Sequence, residues 1–84
     1  MFISTILIDD EPLAIFELAE MLKRFPQIEV VATAQNAFEA LEKINSLKPQ
    51  LLFLDINMPE RNGFELLQLL DNVPTVVFVT AYDQ

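Results

Sequence analysis

The 84-residue chain has no cysteine, no histidine, no tryptophan and a single glycine, and its five lysine and arginine residues face thirteen aspartates and glutamates. Without cysteine there is neither a disulfide framework nor a thiolate metal site, and without histidine the usual transition-metal ligand and general base is missing. Any metal must be held by oxygen, which favours magnesium, calcium or manganese. The net charge of −8 opposes binding to nucleic acid or to an anionic membrane, so this chain is not expected to bind DNA by itself. One glycine cannot build the glycine-rich phosphate turn of a dinucleotide-binding enzyme. No apolar run approaches the ~20 residues that span a bilayer. The start, Met1-Phe2-Ile3-Ser4-Thr5, also lacks the basic region of a signal peptide, and a soluble, cytoplasmic protein is expected.

What is present is hydrophobic patterning: 52% of the residues are apolar, and most of the chain should lie in regular elements of one domain. The run Leu51-Leu52-Phe53-Leu54-Asp55 reads as a strand buried on both faces, a central strand of a parallel sheet. It ends on a carboxylate. A charge is costly to bury, so Asp55 is expected to point out of the carboxyl end of the sheet, where open α/β sheets keep their sites.

Residues 2–8 form a β-branched, apolar segment that stops at Asp9-Asp10-Glu11, a second strand ending in carboxylates. Pro12 suits the first turn of a helix, and the acids before it complement the helix's positive end. Ile15, Leu18, Leu22 and Phe25 then recur on one face of a helix that Pro26 ends. Residues 28–33 read as a third strand, less uniformly apolar and so nearer an edge. Asn36 is placed to cap a second helix, with Glu39 three residues on as in a capping box and Ala37, Leu41 and Ile44 as its apolar stripe. After the Asp55 strand and the loop Ile56-Asn57-Met58-Pro59-Glu60-Arg61, a third helix opens at Asn62-Gly63 and carries Leu66, Leu67, Leu69 and Leu70. Residues 75–80 read as a last buried strand. Strict alternation of strand and helix predicts right-handed crossovers, a parallel sheet and helices on both faces.

All strand carboxyl ends then lie along one rim, where Asp9, Asp10, Asp55 and Thr80 converge. Carboxylates gathered there disfavour one another's ionised form unless a cation intervenes, and magnesium fits because it takes one or two carboxylates plus waters and phosphate oxygens. A carboxylate beside such an ion, with a hydroxyl nearby, is suited to accept a phosphoryl group. Read in isolation, Asp9-Asp10-Glu11 is an acidic helix start, Asn57-Met58-Pro59 is turn chemistry and Thr80 is a strand-end residue.

Together, Ile8-Asp9-Asp10-Glu11-Pro12, Leu54-Asp55-Ile56-Asn57-Met58-Pro59, Asn62-Gly63 and Val79-Thr80-Ala81 resemble the receiver domain of two-component response regulators. The run Val77-Phe78-Val79-Thr80-Ala81-Tyr82-Asp83 is similar to receivers that precede a LytTR-type DNA-binding domain. The resemblance implies an α/β, flavodoxin-like doubly wound sheet, here four strands in the order 2-1-3-4 with three helices. It also implies one receiver domain over residues 1–84, incomplete at its carboxyl end. By the same resemblance Asp55 is the phosphoacceptor for a partner histidine kinase. Asp10 is a direct magnesium ligand, Asp9 acts through a metal-bound water, and Asn57 lends its backbone carbonyl. Thr80 is the switch hydroxyl, Ala81 leaves the pocket accessible, and Met58-Pro59 and Gly63 shape it.

A complete receiver continues with a helix, a strand and a final helix, and that strand brings a lysine that pairs with the phosphoryl group. The lysine lies beyond Gln84, and Lys23, Lys43 and Lys48 are expected to stay away from the rim. Phosphorylation is therefore expected to be slow or incomplete. Two other readings remain: an inactive, self-associating receiver fragment, and a phosphatase with an aspartyl nucleophile. Such phosphatases carry an acidic residue two positions after the nucleophile, where this chain has Asn57. In the order 2-1-3-4 the strand over residues 75–80 has an open edge, so a homodimer or larger assembly is expected, with that strand and the helix over residues 13–25 at the contact.

Overall fold

A computed structural model describes residues 1–56, 58 and 63–79. Its elements are β1 (Ile3–Ile8), α1 (Pro12–Leu22), β2 (Ile28–Ala34), α2 (Ala37–Leu47), β3 (Leu51–Asp55), α3 (Gly63–Gln68) and β4 (Thr75–Val79). The strands form one sheet in the order β2-β1-β3-β4, as expected, and every neighbouring pair is parallel. Thr80 and Ala81, expected at the end of the last strand, lie outside the described residues.

Strand periodicity divides the core between the two faces of the sheet. Ile6, Ile8, Leu52 and Leu54 pack with Ala37, Ala40, Ile44, Met58, Leu66 and Leu70 on the α2 and α3 side. Leu7 packs with Ile15 and Leu22 on the α1 side, with Leu18, Ile28 and Phe53 partly covered around them. Burying a side chain such as Ile6 or Leu52 completely stabilises by about 1.5–3 kcal/mol. The one buried polar side chain among the described residues, Thr5, donates its hydroxyl to the Ile3 carbonyl.

Four expectations need correction. Phe25 was expected in the apolar stripe of the first helix, yet α1 ends at Leu22 and Phe25 is 50% exposed. The chain leaves α1 through bonds of Lys23, Arg24 and Phe25 to carbonyls three residues back, a tighter winding that turns Phe25 off the stripe, and Pro26 disfavours further α-helix at Phe25. On α2 the buried stripe is Ala37, Ala40 and Ile44; Ala40 joins the expected set, and Leu41 packs against the same core only partly buried. β3 is buried on one face only: Leu52 and Leu54 are inaccessible, whereas Leu51 and Phe53 are half-buried, because α1 lies over β1 and β2 and its cluster reaches only Phe53 on this side. β4 is not a buried strand; as an edge strand it leaves Val77 42% and Phe78 41% exposed.

The turns show how short loops are made to work. Asn36 caps α2 by accepting the Glu39 N–H at 2.8 Å. Lys48 closes α2 in the left-handed conformation, φ 49° and ψ 61°, with its N–H on the Ile44 carbonyl. Gln50, just ahead of β3, ties three strands together. It donates its N–H to Ser4, accepts the Ser4 N–H on its side chain at 3.1 Å, and accepts the Thr75 N–H on its carbonyl.

A left-handed lysine costs about 1–2 kcal/mol that glycine does not incur, against about 0.5–1 kcal/mol of extra freedom glycine gives the unfolded chain. Lys48→Gly is therefore expected to hold or raise stability, by up to about 1 kcal/mol, and Lys48→Val to lower it. Urea midpoints of the two variants measure the difference.

Candidate functional site

β1 and β3 are adjacent and parallel, with Ile8 opposite Leu54. That register sets the next residues, Asp9 and Asp55, side by side at the carboxyl rim. The Asp9 N–H donates to the Ala34 carbonyl, which ties the end of β1 to β2, and Asp10 follows as the chain turns toward α1. One carboxylate oxygen each from Asp9, Asp10 and Asp55 lies within 4.8 Å of the others, and all three residues are half-buried. The convergence expected of these three aspartates is therefore real. Asn57 and Thr80, the other two expected site residues, fall outside the described residues. Met58, expected in the loop beside the site, is buried in the core with Leu54 and Leu66.

Local structure adds a role for Asp9. Its Oδ1 accepts the Glu11 N–H at 2.9 Å, so the turn into α1 is closed by Asp9, while Glu11, at the N-cap position, makes no side-chain cap. Pro12 at the start of α1 needs no hydrogen-bond partner for its nitrogen.

Electrostatically the site is strained. Desolvation pushes the Asp9 carboxyl above its ordinary value of 3.8; the Glu11 N–H works against this, and the charges of Asp55 and Asp10 add to it. Two like charges about 4 Å apart repel by about 1 kcal/mol in water and about 4 kcal/mol under the screening typical of a protein surface. The described lysines do not relieve this. Lys23 pairs with Glu20 at 2.7 Å, Lys48 lies at the opposite end of the sheet, and Lys43 donates to the Thr33 carbonyl on the outer side of β2. Three half-buried carboxylates with converging oxygens fit a small divalent cation that prefers oxygen ligands.

The family model of the response regulator receiver domain matches residues 5–84. An uncharacterized response regulatory protein of Vibrio cholerae is 58% identical over 84 residues, covering 98% of this chain and 35% of that protein. The sensory transduction protein LytT of Enterococcus faecalis is 44% identical over 82 residues, covering 94% of this chain and 34% of LytT. Among solved structures, the response regulator domain of Thermotoga maritima CheB superposes with a TM-score of 0.85 at 33% identity, covering 95% of this chain and 61% of that one. The chain thus spans about a third of the length of the curated relatives it matches.

Because its folded-state value is raised, Asp9 opposes folding once it ionises. This loss of stability begins as pH rises through the ordinary carboxylate value near 3.8 and is complete above the raised one. Asp9→Asn keeps an acceptor for the Glu11 N–H and removes the charge. In metal-free buffer it is expected to raise the melting temperature at neutral pH, with the gain vanishing toward about pH 3. Thermal unfolding of both proteins across that range checks the sign.

Proposed function

Because the chain belongs to the response regulator receiver family, we propose that it accepts a phosphoryl group from a histidine of a partner kinase onto Asp55. The observation that carries this reading is the set of three carboxylates converging at the rim where β1 and β3 end. Asp55 is the last residue of β3 and is half-buried, so its backbone is held by the sheet while its side chain faces the open end.

In this reading magnesium would be held directly by Asp10 and Asp55, through water by Asp9, and by the backbone carbonyl of Asn57. Magnesium, when bound, supplies positive charge that offsets the charge on the transferred group. Asp55 attacks phosphorus with a carboxylate oxygen, forming the O–P bond as the donor's bond to phosphorus breaks. The Thr80 hydroxyl donates to a phosphoryl oxygen. The chain modifies itself and turns nothing over, so it acts as a signalling domain and not as an enzyme. We take residues 1–84 as the larger part of one receiver domain, in a cytoplasmic regulator whose remaining length carries the DNA-binding output; the net charge of −8 makes this part unsuited to DNA. Among the described residues no helix is long and apolar enough to cross a membrane.

Magnesium is expected to shift amide signals at residues 9, 10 and 55 in a titration followed by NMR, and Asp10→Ala to weaken that response. An unchanged response in Asp10→Ala removes Asp10 from the ligand set. With acetyl phosphate, intact-mass measurement is expected to detect one magnesium-dependent phosphoryl group, at partial occupancy. Labelling that persists in Asp55→Asn assigns the acceptor elsewhere.

The exposure of Val77 and Phe78 on the outer strand supports a second reading, self-association of this chain through β4 with α1 near the contact. Val77→Lys is expected to shift the protein toward monomer in sedimentation at micromolar concentration. An unchanged distribution places the contact away from β4.

A further inference from the structure

β2 is the other edge of the sheet, and its hydrogen bonds identify which backbone groups face outward. The Ala34 carbonyl accepts the Asp9 N–H, so Ala34 faces β1. Neighbouring residues of a strand turn their N–H and C=O to opposite sides, which sends the Thr33 carbonyl and the Gln35 N–H out to the open edge. Both are already bonded. Lys43 Nζ donates to the Thr33 carbonyl, and Glu39 Oε1 accepts the Gln35 N–H at 3.0 Å.

The two side chains lie four residues apart on α2 and so share one helix face. A reciprocal capping box would send the Glu39 carboxylate to the N–H of Asn36, but it reaches one residue further back, to the strand's edge. A strand added beside this half of β2 meets the Thr33 carbonyl, and one that runs past the strand end meets the Gln35 N–H as well. The other half of the edge is irregular: Thr5 pairs with Val30 and Ile6 with Ala32, leaving Val31 as an extra, unpaired residue. Val30 and Val31 are nevertheless exposed, so this edge has the apolar, β-branched character that invites pairing.

We propose that Glu39 and Lys43 form an edge guard, which keeps β2 from pairing across a two-fold axis with β2 of a second copy of this chain. Both bonds are charge-assisted, but Lys43 is the stronger half because the Thr33 carbonyl lies within β2 itself, whereas Gln35 lies one residue past its end.

The test compares the full 84-residue chain with Lys43→Met, which keeps the apolar stem and loses the donor, and with Lys43→Arg, which keeps a donor. Sedimentation over a concentration series is paired with hydrogen exchange of the β2 amides. Losing a charge-assisted hydrogen bond corresponds to about a tenfold change in an equilibrium constant. Lys43→Met is therefore expected to assemble at about tenfold lower concentration than the parent chain, with amides 29–33 gaining protection as it does, while Lys43→Arg tracks the parent. Lys43→Leu serves if the methionine variant fails to fold. Glu39→Ala is expected to speed exchange of the Gln35 amide. The guard is overturned if Lys43→Met assembles no more readily than the parent, if it assembles without protection of β2, or if the Gln35 amide exchanges equally fast in Glu39→Ala.

Discussion

The pairing of β1 with β3 is the constraint on which the rest of this structure depends. Its register, Ile8 opposite Leu54, decides that Asp9 and Asp55 end up neighbours although they lie far apart in the chain. A slip of one residue would send Leu52 and Leu54 to the α1 side and turn Asp55 to the other face, so the buried face and the site are specified by the same pairing. Among the described residues Thr5, Ile6, Leu7 and Ile8 are the most completely buried run, since β1 has a strand on each side and helices on both faces. Removing apolar volume there would loosen the site as well as the core.

The site works against the fold that holds it. Desolvation at the rim, with the charges of Asp55 and Asp10 adding to it, holds Asp9 above its ordinary value, and that is the cost the site imposes on the fold. A divalent cation held by these oxygens would offset their charges, which is what the proposed magnesium site gains from the arrangement. Asp9 is tied from both sides, through its N–H to β2 and through its carboxylate to the start of α1, so the repulsion does not spread the rim apart.

The two edges of the sheet are treated differently. Along β2 a bulge interrupts the edge and two side chains of α2 bond to the Thr33 carbonyl and the Gln35 N–H, whereas the described part of β4 leaves Val77 and Phe78 exposed. Exposed β-branched and aromatic side chains on an edge strand are the feature behind the proposed self-association through β4.

The amino-acid sequence by itself determined the alternation of strand and helix, the four-strand parallel architecture and the three aspartates of the rim. These were legible because they rest on local signals: β-branched runs halted by acids, prolines between elements, and the asparagine that caps α2. The likeness of Asp9-Asp10, Asp55-Ile56-Asn57 and Thr80-Ala81 to a receiver supplied the chemistry. Only the tertiary structure decided how deeply each face is covered. Leu51 and Phe53 look as apolar as Leu52 and Leu54, and their difference comes from the side they face: Leu52 and Leu54 join the core under α2 and α3, whereas α1 lies over β1 and β2. Phe25 keeps the helical spacing yet leaves the core, because the last turn tightens before Pro26. Lys43 and Gln50 carry no signature, since a polar residue on a helix or ahead of a strand reads as solvated until the backbone group that it meets is known, and Glu39, read as part of a capping box, bonds to the Gln35 N–H instead. Hydrogen bonds between distant segments depend on register and packing, and those are properties of the assembled sheet rather than of any short stretch of chain.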